Sequence, residues 1–418
     1  MILCGNLVWT DEMGKLKTLP RGALVLEDDG TIREVLSRAP ERPEGRPVCD
    51  FGDSLILPSF ADLHLHAPQY PMLGMGMDLP LLDWLKTYTF RTEARFADRD
   101  YARRVYRSLA RELIANGTTR VAMFSSLHTE ATWILMEELE RAGVTGFVGK
   151  VNMDRDSGDE LRETTEESER ETLRWLDGCS AFSRVRPILT PRFTPSCTDE
   201  LMAWLGRLAE ERGLPVQSHL SENTAEIALV RRLHPDCAQY WETYAKYGLW
   251  KDRTLMAHCV YSDGRERAAM RESGVWAVHC ADSNFNICSG VAPVRKLLDD
   301  GVQVALGSDI AGGAQLAMSQ VIAMSIRASK VKRIEENWET DFLTVAEGYY
   351  LGSAAGARYF GAKGGFAPGD RLHAIVVNDG SLPEPVRPLS LTERFERAIY
   401  GMTKENITAV WSEGKRVK

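Results

Sequence analysis

From about residue 58 to residue 360 the sequence alternates short apolar runs with longer amphipathic ones, eight times in succession. The apolar runs read as strands. The first is Leu55-Ile56-Leu57-Pro58 running on to His64 and His66. The others are Thr119–Phe124, Gly146–Asn152, Val185–Thr190, Val216–His219, Thr254–His258, Val275–His279 and Val302–Gly307. Between them lie helical patterns: Asp98–Asn116 closed by Gly117, Thr129–Arg141 ending at Gly143, Leu161–Leu176 and Asp199–Arg212 ending at Gly213. Further helices are expected from about Thr224, before Gly274, over Val294–Leu298 and from Ala317 to Phe360. Strands joined through helices run parallel, and eight such units close into a (β/α)8 barrel. An open doubly wound sheet would call for a glycine-rich fingerprint after the first strand. That position holds His64-Leu65-His66-Ala67-Pro68 instead.

The two ends of the chain differ from the middle. Residues 1–57 read as short strands, with Asp29-Gly30 as a turn and Pro40–Pro47 as a loop. After about residue 365 the helices are expected to stop, and Ala374–Val377, Thr408–Trp411 and Gly414–Val417 read as strands. Residues 1–57 and 365–418 are therefore expected to pair as one small β-sandwich beside a barrel spanning 58–364.

A net charge of −8 on 418 residues favours neither nucleic acid nor an anionic membrane surface. No stretch is apolar enough to span a bilayer. The Glu- and Arg-rich segment from Asp159 to Arg174 reads as a solvated helix face. Eight cysteines, at 4, 49, 179, 197, 237, 259, 280 and 288, form no C-x-x-C pair. The start, Met1-Ile2-Leu3-Cys4, lacks a basic region and a long apolar run, and no secretory signal is expected from it. Free thiols in a reducing cytoplasm are expected, most of them as small core residues.

In a (β/α)8 barrel the C-terminal strand ends meet at one mouth. Here they deliver His64 and His66 from strand one, Arg192 and Phe193 from strand four, and His219 with Glu222 from strand five. His258, His279 and Asp309 come from strands six, seven and eight. Side chains alternate along a strand, so His64 and His66 share a face. Three histidines and one carboxylate suit a divalent first-row metal. His64, His66, His219 and Asp309 are expected to hold one Zn2+, with iron possible on the same donors. Such an ion brings the pKa of its water toward about 7, and Asp309 can accept a proton as that water attacks. Glu222, three residues past His219, fits a proton-shuttling acid/base. His258 is read as steadying developing charge rather than ligating, although ligation stays open. His279 is left as similar support or pocket wall. No lysine stands at the end of strand four and Lys150 is placed inside strand three, so a second, bridged metal is not expected. His128, at the end of strand two, is expected beside the pocket without an obvious partner. His234 falls near a helix end and His373 in the sandwich.

These motifs resemble the mononuclear amidohydrolase deaminases: His64-Leu65-His66, Ser218-His219-Leu220-Ser221-Glu222-Asn223, Ala257-His258-Cys259, His279-Cys280-Ala281-Asp282-Ser283-Asn284 and Gly307-Ser308-Asp309. The stretches Ala67-Pro68-Gln69-Tyr70, Leu81-Leu82-Asp83-Trp84 and Thr190-Pro191-Arg192-Phe193 narrow the resemblance to the guanine deaminase family, over roughly residues 56–313. The resemblance implies hydrolysis of guanine to xanthine and ammonia, with His66, Gln69, Arg192, His219 and Asp309 against the purine and Phe193 lining its face. It also implies a homodimer. An arginine fork matches the O6/N7 edge of guanine. Trp84 either stacks on the purine or packs the barrel top. Ala281 and Ser308 depart from the Pro and Thr usual in the family. Rival readings are a sister hydrolase of 8-oxoguanine, S-adenosylhomocysteine or a triazine, and a non-enzymatic scaffold. A scaffold would be expected to lose ligands, and here all are present. The zinc deaminase pattern with P-C-x-x-C is excluded, since no C-x-x-C exists.

Overall fold

The computed structural model describes residues 1–41, 45–156 and 158–418. Part of the predicted loop Pro40–Pro47 therefore lies outside the described residues.

Eight parallel strands form the body. In order they are Phe60–His66, Thr118–Phe124, Thr145–Gly149, Val185–Pro187, Val216–Leu220, Thr254–His258, Trp276–His279 and Gln303–Leu306. The first four pair in sequence, as do the last four. The two halves join where Leu189 bridges Val216 in parallel and the Gln217 N–H donates to the Leu189 carbonyl at 2.9 Å. The ring closes where the Asp309 N–H donates to the His64 carbonyl at 2.8 Å and the His66 N–H donates to the Ile310 carbonyl at 2.9 Å. The barrel read from the alternation is thus complete, and its seam runs through the residues singled out as functional.

The helices form where the sequence places them, for identifiable reasons. Arg99–Ala115 is capped by the Asp98 carboxylate, which accepts from the N–H groups of Asp100 and Tyr101. It buries Ala102, Tyr106, Leu109, Ala110 and Leu113, one face at helical spacing. Thr129–Ala142 ends at Gly143, whose φ of 85° is the left-handed stop that glycine accepts at no steric cost.

Both chain ends pair in one seven-stranded sheet. Its order is Lys415–Arg416, Ile407–Ser412, Ala374–Val377, Val48–Pro58, Ile2–Glu12, Lys15–Leu26, Ile32–Leu36. Alternation divides its side chains cleanly. Ile56, Ala374, Val376, Ala409 and Trp411 join Leu3, Leu7 and Leu24 in the sheet's own core. Leu55, Leu57, Ile375, Val377 and Val410 face the barrel and join the main core. A sheet covered on both faces consists of continuous apolar runs. That corrects one expectation: Leu55–Leu57 belongs to this sheet, and the first barrel strand starts after Pro58, at Phe60.

Three more expectations are corrected. A helix, Leu391–Gly401, follows residue 365, with a capping box between Ser390 and Glu393. Strand three breaks at Lys150, so this lysine sits between Thr145–Gly149 and Val151–Asn152 rather than inside a strand. The terminal strands Ile2–Glu12 and Lys15–Leu26 are long rather than short. All eight cysteines are free, five of them buried, and Cys288 is exposed. Among the described residues no helix is long and apolar enough to cross a membrane.

Candidate active site

The mouth of the barrel gathers the side chains that the strand ends deliver. His64 and His66 project from the same face of strand one, their rings 5.1 Å apart. His219 stacks beside His66, with the two Nε2 atoms 3.1 Å apart. Asp309 reaches in from beyond strand eight, its Oδ1 3.3 Å from His64 Nε2 and 3.5 Å from His66 Nε2. His258 Nε2 lies 3.7 Å from Asp309 Oδ2 and 3.4 Å from Glu222 Oε2. All are nearly fully buried.

The local backbone is bent to achieve this. Ser221, His258, Cys259 and Asp309 have φ of 48°, 75°, 50° and 49°, left-handed values that side chains other than glycine rarely adopt. Strain of this kind persists where surrounding contacts fix it, commonly at functional sites. The contacts are visible. The Asp62 carboxylate, fully buried, accepts from the Ser308 N–H at 2.9 Å and the Ser308 hydroxyl at 2.5 Å, anchoring the residue before Asp309. The hydroxyl of Ser308 thus has a clear role in this loop. His219 Nδ1 is bonded to the Arg192 carbonyl at 2.6 Å, which leaves its Nε2 for the mouth. His258 Nδ1 is bonded to Asn284 Oδ1 at 2.9 Å, which aims its Nε2 inward.

Electrostatics separates the histidines. Burial, followed by the other imidazoles for His219 and by His64 for His66, holds both rings well below the usual histidine value. Burial lowers His64 as well. All three are therefore neutral at pH 7, the form that binds metal. For His258 burial also acts to lower the pKa, but Glu222 and Asp309 outweigh it and the net shift is upward. Burial would raise Asp309, but the histidines around it hold it well below the carboxylate range.

The donor set fits a metal ion. The ligand atoms of His64, His66 and His219 lie within 4.8 Å of one another, as do those of His64, His258 and Asp309. His64 Nε2 is buried with no hydrogen-bond partner among the described residues. Tetrahedral ligands about 2.0–2.1 Å from a metal stand roughly 3.4 Å apart. The separations of 3.1, 3.3 and 3.5 Å match that value.

Glu222 enters from the turn after strand five. Its N–H, with that of Asn223, donates to the Glu226 carboxylate, which also accepts from the Tyr240 hydroxyl at 2.7 Å. Its Oε1 accepts from the Ser289 hydroxyl at 2.9 Å, and its Oε2 faces His258. Burial foremost, with help from Glu226, raises its pKa to about 7 against the pull of His258.

Above these groups lies a small cavity lined by His66, Gln69, Trp84, Arg192, Phe193, His219, Glu222, His258 and Asp309, with Leu81, Leu85 and Ile287 as apolar wall. The residues singled out in the sequence for metal, proton or purine line this cavity, except His64, which lies behind it against His66 and Asp309. Trp84 is buried, its indole N–H donating to the Met75 carbonyl at 2.9 Å. The structure also adds a residue that sequence reasoning missed. Glu93, fully buried, pairs with Arg192 and accepts from Gln69. Ser289, which donates to Glu222, and Asn284, which is bonded to His258 Nδ1, likewise carry no signal in the sequence.

Some histidines do not join. His279 is buried at the end of strand seven with both ring nitrogens unpartnered among the described residues, and burial lowers it to about 4. It belongs to neither ligand group. His128 precedes the helix Thr129–Ala142 and is not part of the cavity wall. Lys150 Nζ is taken up by the Glu163 carboxylate at 2.7 and 2.9 Å. His234 ends the helix Thr224–Leu233, and His373 bonds Thr119 and Glu413 where the terminal sheet meets the barrel.

Residues 55–417 match the amidohydrolase family. The guanine deaminase of Dictyostelium discoideum is 35% identical over 438 aligned residues, covering 99% of this chain and 97% of that protein. The guanine deaminase of Homo sapiens is 36% identical over 375, covering 87% and 82%. The crystal structure of guanine deaminase from C. acetobutylicum with bound guanine in the active site is similar throughout. Its TM-score is 0.96 at 43% identity, covering 99% of each chain.

Proposed function

The chain belongs to the amidohydrolase family, and from that premise we propose that it hydrolyses guanine to xanthine and ammonia. One observation carries the reading: one cavity is lined both by His66, His219 and Asp309 of the metal-type donor set and by Gln69 and Arg192, groups suited to a purine edge.

His64, His66, His219 and Asp309 would hold one divalent ion, zinc, with iron as the other metal these donors accept. When bound, the ion supplies Lewis acidity that makes water a nucleophile near neutral pH. The remaining steps belong to the chain. Water adds its oxygen to C2 of guanine, and Asp309 takes one of its protons. Glu222 gives a proton to the adjacent ring nitrogen, takes the proton still on the added oxygen as that oxygen becomes the C2 carbonyl, and passes it to the amine as the C2–N bond breaks and ammonia leaves; the proton held by Asp309 then returns Glu222 to its starting form. A carboxyl with a pKa of about 7 can give and take protons at neutral pH. His258, aimed by Asn284, steadies the charge that develops on the added oxygen.

Arg192 and Gln69 would hold the purine, with Phe193 and Trp84 against its face. The pairing with Glu93 uses Nη1 and Nη2 of Arg192, which leaves Nε–H and the outer Nη2–H as a second fork for O6 and N7. We read 1–57 with 365–418 as one unit and 58–364 as the catalytic unit of a cytoplasmic homodimer acting in purine breakdown.

The test is a substrate panel on the metal-replete chain: guanine, 8-oxoguanine, S-adenosylhomocysteine and an aminotriazine. Release of xanthine and ammonia from guanine, well ahead of the others, is the expected result. Preference for another amine would keep the metal chemistry and discard the Arg192/Gln69 assignment.

A further inference from the structure

Gln69 and Arg192 recognise the purine in the reading above, yet both are long side chains that need something to hold them. Glu93, on the short helix Phe90–Ala94, supplies it. Its Oε2 accepts from Arg192 Nη1 at 2.7 Å. Its Oε1 accepts from Arg192 Nη2 at 3.0 Å and from Gln69 Nε2 at 2.9 Å. The Glu93 side chain is 1% exposed and that of Arg192 3%.

We propose that Glu93 is a positioning residue for purine recognition, acting through Arg192 and Gln69; this rests on the reading that the cavity takes guanine. Three features support it. First, a guanidinium buried without a counter-charge is strongly disfavoured, and Glu93 is the carboxylate that pairs with Arg192 in the cavity wall. Second, the pairing is end-on and bidentate, which fixes the guanidinium plane while leaving one fork of donors for the ligand. Third, Gln69 is oriented from both ends. Its Nε2 donates to Glu93, and its Oε1 accepts from the Ala311 N–H at 3.2 Å. One Nε2 hydrogen and one Oε1 lone pair then remain for the purine.

The same helix holds the guanidinium from a second side, since Arg192 Cζ lies 5.3 Å from the centroid of Phe90. Phe90–Ala94 therefore acts as a bracket for the recognition arginine. A guanidinium only donates, so a fork fixed in this way demands acceptors on the ligand, as at O6 and N7 of guanine. Glu93 contributes to the choice of substrate without touching it.

The experiment compares wild type, Glu93→Gln, Arg192→Ala and the double variant, measuring kcat and KM on guanine together with metal content and melting temperature. Glu93→Gln should raise KM by about 10- to 100-fold, the range expected for charge-assisted hydrogen bonds, with kcat within about threefold of wild type and metal content unchanged. The double variant should be no worse than Arg192→Ala alone, since residues acting as one unit are non-additive. If Glu93→Gln does not fold, Glu93→Asp retains the charge but draws it back by one methylene, and a raised KM is again expected. An unchanged KM in the folded variant, or independent effects that multiply in the double variant, would overturn the proposal. A wild type inert towards guanine would overturn the functional reading as well; an active wild type with an unaffected Glu93 variant overturns this inference alone.

Discussion

Replacing Glu222 with glutamine tests the proton chemistry with least disturbance to the fold. The amide is isosteric, and its oxygen can still accept from the Ser289 hydroxyl, 2.9 Å from Oε1 in the native chain. Glu222 is 3% exposed, so no bulk water stands ready to replace the carboxyl. A positioned acid/base contributes about 10²- to 10⁴-fold. Here the same carboxyl would serve two transfers, to the ring nitrogen and to the departing amine, so the loss should lie near the upper end. That is about 10⁴ in kcat, or roughly 5 kcal/mol of barrier. Stability should not fall, because burial disfavours the ionised carboxylate and the amide carries no charge. Metal content should not change, since Glu222 is not among the ligand groups. The assay is steady-state xanthine formation beside a melting curve and a metal assay. A folded, metal-loaded Glu222→Gln variant within about tenfold of wild type would refute the assignment.

Two further expectations concern the scaffold. Asp62→Ala removes the carboxylate that accepts from the Ser308 N–H and hydroxyl, leaving both buried; urea unfolding should show a loss of about 2 kcal/mol, with lower kcat because Asp309 loses its neighbour's anchor. An equally stable and active variant would contradict the anchoring role. Glu266, buried and bonded by Ser221 and Ser262, is raised by burial from 4.5 to about 7. The folded chain holds this proton more tightly than the unfolded one, so the contribution is full below about pH 4.5 and is lost as pH rises through about 7, some 3 kcal/mol in all. Glu266→Gln keeps a neutral group there, and its melting temperature relative to wild type should climb between about pH 5 and pH 8. A flat difference would contradict the cause assigned.

What the sequence discloses follows from the range of the interactions involved. His64, His66, His219, His258 and Asp309 are legible because each sits at a strand end, and the barrel rule converts strand ends into neighbours. Glu93 is not legible in the same way. It lies on a helix of five residues, Phe90–Ala94, in the long connection after strand one, and its partner Arg192 is 99 positions away. Nothing periodic marks it, and only the folded chain shows a buried carboxylate between two recognition residues. Asn284 stands in the run His279–Asn284, but its bond to His258 depends on how the turn after strand seven curls. The Leu55–Leu57 run misled because a strand buried on both faces carries no alternation to tell which sheet it joins. The helix Leu391–Gly401 did carry a signal, the Ser390–Glu393 capping box, in a tail otherwise read as strands.

The most direct test of the account is a metal titration of the apoprotein followed by guanine turnover. Stripped of metal, the chain should release no xanthine, and activity should return linearly with added zinc and saturate at one equivalent per chain, as one ion shared by His64, His66 and His219 with the adjacent Asp309 requires. Saturation only at two equivalents, or undiminished turnover in the apoprotein, would contradict it.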